Sequence, residues 1–281
     1  EAIADRASSL GSLEVTPADV NLSQGSWDVM RTAEQLVSAD SLSCLTRYAD
    51  TLAASLEEKA EEFKGIVKSG RLSLRDGYPI TLGQEFHGYA AGICRVCLRL
   101  KEQAARLNTS LLGAGDFGNG IGVAEGFRSS AADHLSAIEE REISVDPEPF
   151  DGLSATDQML LTHAHIQSLA VVFWHICCNL TLTNSGPRGG IHEIAFPAVA
   201  PGSSIMPGKI NPTMAQLGKQ VCDQVSASQL SINSAVQTGL LGVGSTSAIP
   251  VMCIAENGEL LGRTMKIFAE RIVEGLRAFG E

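Results

Sequence analysis

An all-α fold, an elongated bundle of five to six long helices, is what this sequence predicts, and three observations predict it. Long stretches run without proline or glycine, their apolar residues recur at helical spacing, and strand signals are almost absent. Neither breaker occurs between Gly25 and Gly65, so Ser26 to Lys64 is expected as one helix of about 55 Å at 1.5 Å per residue. A second follows Pro79, from Thr81 to about Leu107, and a shorter one covers roughly Val123 to Glu140. From Ser154 to Ser185 the breakers are absent again. There Met159, Ile166, Phe173 and Leu180 fall seven apart on one seam, with Leu169 and Ile176 on the neighbouring one. Two more helices are expected from Pro212 to Leu240 and from Pro250 to Ala278, the last with Ile254, Leu261, Met265, Phe268, Ile272 and Leu276 on one face. Helices this long carry more apolar surface than one narrow bundle covers. Neighbouring subunits are therefore expected to share the core of a homo-oligomer.

Composition narrows the function. With 281 residues, 44% of them hydrophobic, the chain can bury a large core. Its formal net charge is -11 and no run of Lys or Arg exceeds two, so nucleic acid is not expected as a partner. No stretch of about 18 uninterrupted apolar residues suggests a membrane span, and no signal peptide is recognisable. Seven cysteines form an odd set in apolar helical patterns, which fits reduced thiols in a cytoplasmic protein. Cys94 and Cys97 make a C-x-x-C, read as two buried small hydrophobes rather than metal ligands. The chain opens on the amphipathic EAIADRASSL without an initiator Met, so it is expected to begin inside a longer protein.

The histidines receive structural readings. His163 and His165 lie two apart on a helix and face different ways, which argues against a shared metal. His87 and His175 are expected to be packed or interfacial, and His192 to be structural. The stretch AGDFGNGIG, Ala114 to Gly122, is not a dinucleotide fingerprint because no strand-helix-strand unit surrounds it. It reads as a tight turn at a helix end or as a backbone that approaches a small anion.

The stretch that carries chemistry is GSSIMPGKIN, Gly202 to Asn211. Two glycines let the backbone bend and expose amides, Pro207 restricts it, and Lys209 and Asn211 offer a cation and an amide to a carboxylate. A serine there could act as a base only if amides and Lys209 stabilised its alkoxide.

That phrase resembles the G-S-S-x-M-P-x-K-x-N signature of the aspartase/fumarase superfamily. The segments VNLSQGSWDV, PITLGQEFHGYA, SGPRGGIHEI and FPAVAPGSSIMPGKINP look like family segments in family order, so the resemblance spans nearly the whole chain. It implies that residues 1–281 are the central helical domain, with the smaller N-terminal and C-terminal domains missing. It also implies a homotetramer with a twenty-helix core, active sites shared among three subunits, and no cofactor or metal for turnover. The chemistry implied is anti elimination of ammonia or water from a small carboxylic acid, aspartate-like or malate-like. Ser203 is the matching general base. Ser204, Lys209 and Asn211 on the loop, and Ser26, Ser73 and Arg75 elsewhere, are the candidate substrate-binding residues. The phrases around the loop look slightly closer to aspartases than to fumarases.

Other segments depart from the family pattern. Where S-Q-S-S-N-D is typical, the chain has Ser23-Gln24-Gly25-Ser26-Trp27-Asp28, and an indole replaces a substrate-binding Asn. Where G-R-T-H-x-Q-D is typical, it has Gly70-Arg71-Leu72-Ser73-Leu74-Arg75-Asp76, and the Glu that partners the missing His is Gln216. In the Gly-rich stretch two threonines become Gly115 and Asn119, and Asp116 stands where a small residue is expected. Three readings follow: an aspartate-type or malate-type lyase, a diverged lyase for another β-substituted acid, and a catalytically impaired structural or regulatory subunit.

Overall fold

The computed structural model of the chain describes residues 1–237, 242–243 and 248–279. Two short helices, α1 (Ala2–Leu10) and α2 (Pro17–Val20), lead to α3 (Ser26–Glu62). A hairpin of β1 (Val67–Leu72) and β2 (Arg75–Thr81) connects α3 to α4 (Leu82–Arg106). Then come β3 (Thr109–Ser110), α5 (Phe127–Glu139), β4 (Ser144–Val145), α6 (Pro149–Ser154) and α7 (Asp157–Thr183). The chain continues through β5 (Ile194–Ala195), α8 (Thr213–Val236) and α9 (Ile249–Phe268), then a π-helical turn, Ala269–Val273, and β6 (Arg277–Ala278).

Five of these helices, α3, α4, α7, α8 and α9, make one bundle with a continuous core. Every residue of the expected α7 seam is buried, as is the expected face of α9 continued through Leu276. Phe173 of α7 meets Phe268 of α9 edge-on, their rings 5.3 Å apart at 84°. Each fully buried Leu, Ile or Phe in such a core contributes about 1.5–3 kcal/mol. Close approach is set by small residues: Gly218 of α8 lies against Cys177 and Phe173, and Gly83 of α4 lies under the backbone of Ala60 and Lys64.

Helix starts follow local chemistry. Thr81 begins α4 with a capping box, its hydroxyl accepting from the Gln84 amide at 3.1 Å while its own amide donates to Gln84 Oε1 at 2.9 Å. The third helix begins at Phe127 rather than Val123, because the glycines up to Gly126, at φ 77°, keep the chain in turns. The last helix passes into the π-helical turn at Ala269 and ends at Val273, short of Ala278, since Arg277 and Ala278 pair with Ala195 and Ile194 instead. The expected end of α8 at Leu240 lies outside the described residues.

The near absence of strands is corrected by the β1–β2 hairpin. Val67 pairs with Thr81 and Leu72 with Arg75, leaving Ser73 and Leu74 as a two-residue turn with φ of 50° and 62°. That turn has no glycine or Asn-Gly signature, which is why it reads as a loop.

The connections give the bundle two distinct ends. The loop that carries Leu111 meets the start of α3, where the Thr32 hydroxyl accepts the Leu111 amide at 3.0 Å. The hairpin, the end of α7 and the start of α8 gather at the other end, beyond Glu62. At 37 residues, α3 separates the two by about 55 Å.

Among the described residues α7 is the one helix long and apolar enough by composition to cross a bilayer, and it packs in the bundle against α4, α8 and α9. His163 on it is fully buried. Its Nδ1 lies 2.7 Å from Gln229 Oε1, and its Nε2 2.9 Å from Asn257 Nδ2, so the ring ties α7 to α8 and α9. Burial lowers the pKa of this imidazole and outweighs the Gln229 hydrogen bond, which raises it.

All seven cysteines are free thiols. Cys97 is buried as expected but Cys94 is exposed, a correction that follows from its place on the outer face of α4. His87 is also exposed and faces Glu57 with Nδ1 2.9 Å from Oε2, while His175 is exposed on α7.

Candidate active site

At the α3 end, two segments singled out by sequence are joined. Asp28 is fully buried in the first turn of α3, and its carboxylate accepts three backbone amides: Gly25 at 3.0 Å, Gly113 at 3.0 Å and Gly115 at 3.1 Å. Gly113 and Gly115 turn their amides toward it through φ of 78° and 73°, a region open to glycine. The small anion met by the glycine-rich backbone is thus the protein's own carboxylate. Burial pushes the Asp28 carboxyl above its usual range, opposed by the amides. The Ser23 hydroxyl accepts the Ala124 amide at 3.0 Å and closes the same junction. Ser26 is exposed on this wall. Trp27, in the place of the family's Asn, is half-buried against Leu111, Ala114 and Leu153.

The far end holds the hairpin and the serine loop. Ser73 is exposed at the hairpin tip, and Arg75 is exposed on β2. Arg71, two residues before the turn, binds Glu193 at 2.5 Å, and Lys68 reaches Glu193 and Glu85 at 2.6 Å each. Burial pushes the Glu193 carboxyl upward, but Arg71 and Lys68 outweigh it and hold the group below its ordinary value. The Glu193 amide donates to the Thr183 carbonyl at 2.9 Å, and its carbonyl accepts from Phe279 at 2.9 Å. His192 beside it stacks on Phe279, ring centroids 4.4 Å apart, and so has a packing role.

Between β5 and α8 the serine loop is closed by a bridge between Pro201 and Ile210. The Gly202 amide donates to the Lys209 carbonyl at 3.3 Å, and Asn211 Nδ2 donates to the Gly202 carbonyl at 3.3 Å. Ser203 is half-buried, and its Oγ accepts the Met206 amide at 3.2 Å, with the Ile205 amide at 3.4 Å. Ser204 and Lys209 are exposed, and Lys209 joins no ion pair among the described residues. Gln216 is exposed in the first turn of α8.

Ser203, Ser204, Lys209 and Asn211 therefore share one loop, and Ser73 and Arg75 stand on the hairpin at the same end of the bundle. Ser26 lies at the opposite end. No group of three or more His, Cys, Asp or Glu side chains suited to a metal occurs among the described residues. Two residues central to this geometry, Asp28 and Glu193, went unnoticed in the sequence. Asp28 could have been found as the acid in the first turn after a Gly-Ser helix start. Glu193 carries no local signal, since its partners lie more than a hundred residues away.

Comparison with known proteins places these segments in context. A family profile described as Lyase matches residues 1–227. The chain is 33% identical over 258 residues to a class II fumarate hydratase of Brucella suis, covering 92% of this chain and 56% of that protein. It is also 33% identical over 261 residues to an aspartate ammonia-lyase of Pseudomonas aeruginosa, covering 92% and 55%. Among solved structures, a fumarate lyase:delta crystallin from Brucella melitensis superposes with a TM-score of 0.84 at 36% identity, over 92% of this chain and 58% of that one. The chain thus spans somewhat over half the length of the curated relatives it matches.

Proposed function

The chain belongs to the aspartase/fumarase superfamily of lyases, and from that premise we propose that it is the central helical domain of an enzyme that eliminates ammonia or water from a β-substituted carboxylic acid. The observation that carries this reading is the serine loop, with Ser203 Oγ inside a turn of backbone amides and Lys209 six residues on.

Amides that donate to Oγ favour its alkoxide over its hydroxyl. In the proposed step that alkoxide takes the proton from the carbon next to the substrate carboxylate. The electron pair passes into the carboxylate, giving an aci-carboxylate dianion which Lys209 and nearby amides stabilise. Its collapse forms the carbon–carbon double bond and expels, from the opposite face, ammonia from the substrate's ammonium group or hydroxide that takes up a proton to leave as water. Asn211, which braces Gly202, would position the serine, and Ser204 would bind substrate beside it.

Shared sites in a homotetramer are part of the same proposal. Ser26 and Ser203 stand at opposite ends of a bundle about 55 Å long, so one chain alone does not bring them together. Leu98, Val171, Leu217, Leu230 and Leu260 leave apolar helix faces exposed, which supports further copies packing along the bundle.

The comparisons match fumarases and aspartases at equal identity, so they do not separate C–O from C–N cleavage. The experiment is a turnover assay of the full-length assembled protein on a panel of β-amino and β-hydroxy acids that includes aspartate and malate. Formation of an unsaturated acid from at least one is expected. No product from any of them would sink the proposal.

A further inference from the structure

The hairpin that carries Ser73 and Arg75 has little of its own to hold it. Leu72, Leu74 and Tyr78 are 76%, 70% and 91% exposed, so side-chain packing within the chain does not fix its outer half. Two strands alone are marginal in water. The base is anchored, because the Leu82 amide donates to the Ile66 carbonyl at 2.9 Å and Lys68 binds Glu85 of α4. From Ser69 to Ile80, the one hydrogen bond or ion pair among the described residues that leaves the hairpin runs from Arg71 to Glu193. Glu193 is itself held on three sides. Its amide donates to Thr183 at the end of α7, its carbonyl accepts from Phe279, and its Oε2 lies 2.6 Å from Lys68 Nζ. Ser203 stands ten residues further along the chain. Among the described residues, the hydrogen bonds of the serine loop stay between Pro201 and Asn211. Its place is therefore set by the stem that Glu193 begins and by α8.

We infer that Glu193 is a positioning residue, which through Arg71 holds Ser73 and Arg75 at a fixed place relative to the stem of the serine loop. The inference rests on the lyase reading above, with Ser73 and Arg75 as substrate-binding residues. Glu193 itself touches no reacting atom. The stem keeps other fastenings without its carboxylate: Ile194 and Ala195 pair with Ala278 and Arg277, and the Phe196 amide donates to Asn184 Oδ1 at 2.8 Å. Loosening the hairpin therefore weakens substrate binding and spares the chemical step, which raises KM and leaves kcat.

Steady-state kinetics of the full-length assembled protein on the panel of β-amino and β-hydroxy acids tests it, with amide hydrogen exchange alongside. Glu193→Gln keeps the shape and removes the charge. It is expected to raise KM about tenfold with kcat within about threefold of wild type, and to speed exchange of the hairpin amides from Gly70 to Gly77 about tenfold while α4 and α7 stay protected. Arg71→Gln leaves Lys68 on Glu193, should act in the same way, and decides the matter if Glu193→Gln does not fold. The double variant should be no worse than either single one. Unchanged KM, or hairpin exchange as slow as in wild type, overturns the inference. A fall in kcat of about 10²-fold or more at unchanged KM overturns it too, because it would put Glu193 at the reacting atoms. These results leave the lyase reading standing. Conversion of none of the acids by the wild type overturns both.

Discussion

Arg71 on the hairpin and Glu193 on the segment leading into the serine loop lie 2.5 Å apart, and Lys68 closes on the same carboxylate at 2.6 Å. This ties two elements more than a hundred residues apart in sequence at one end of the bundle. Replacing Glu193 with Ala leaves Lys68 and Arg71 without their shared partner. The expected cost is about 2–3 kcal/mol, because the pair is largely buried and charge-assisted. Chemical denaturation checks it, and Glu193→Asp should recover part of the loss.

Asp28 is the corresponding tie at the other end. Removing its carboxylate in Asp28→Ala strands the Gly25, Gly113 and Gly115 amides, with an expected loss of about 2–4 kcal/mol. Amide hydrogen exchange should show faster exchange at Gly113 and Gly115 in the variant. Unchanged protection there would refute the assignment.

Gly25→Ala tests the contact with Asp116. The added Cβ would overlap both a side-chain oxygen and a backbone nitrogen, which costs about 1–3 kcal/mol. Asp116→Gly on top should return part of this, since it removes the Oδ1 contact and leaves the backbone one. Strict additivity of the two substitutions in thermal unfolding would show that the residues do not press on each other.

His163 predicts a pH dependence. Its folded pKa is lowered from the usual 6.5, chiefly by burial, so the unfolded chain binds the proton more readily. Its contribution to stability is then fully present above about pH 6.5 and is lost as pH falls through the depressed folded value. Replacing His163 with Gln should flatten the stability curve below that pH. An equally steep curve in the variant would contradict the role given to the buried imidazole.

Cys97 and Cys222 have thiols whose pKa is pushed up to about 12, first by burial, and burial likewise raises that of Cys177 well above its ordinary value. A thiolate-specific reagent at neutral pH should leave these three unmodified in the native protein and label them after denaturation. Native labelling of Cys177 would be inconsistent with its buried place against Gly218.

The bundle was legible because its signals are local. Breaker-free stretches marked α3 and α7, starts set by Pro79, Pro212 and Pro250 marked α4, α8 and α9, and the seven-residue spacing from Met159 to Leu180 named the buried seam of α7. The serine loop was legible as a ten-residue pattern. The hairpin was not, because Ser73 and Leu74 adopt left-handed backbone without the residues that usually announce it. Nor were the ties made by Asp28 and Glu193, since each depends on which distant backbone or side chain the fold brings alongside. Trp27 shows the same limit: sequence marks the loss of an Asn, and only packing shows that the indole turns toward Leu111 and Leu153.

The most direct test of the account is the turnover number of Ser203→Ala on whichever β-substituted acid the wild-type assembly converts, with oligomeric state and helix content confirmed to match. General-base loss predicts a fall of about 10²–10⁴-fold. Turnover within a few-fold of wild type would show that the proton goes elsewhere and that the loop is not the seat of the chemistry.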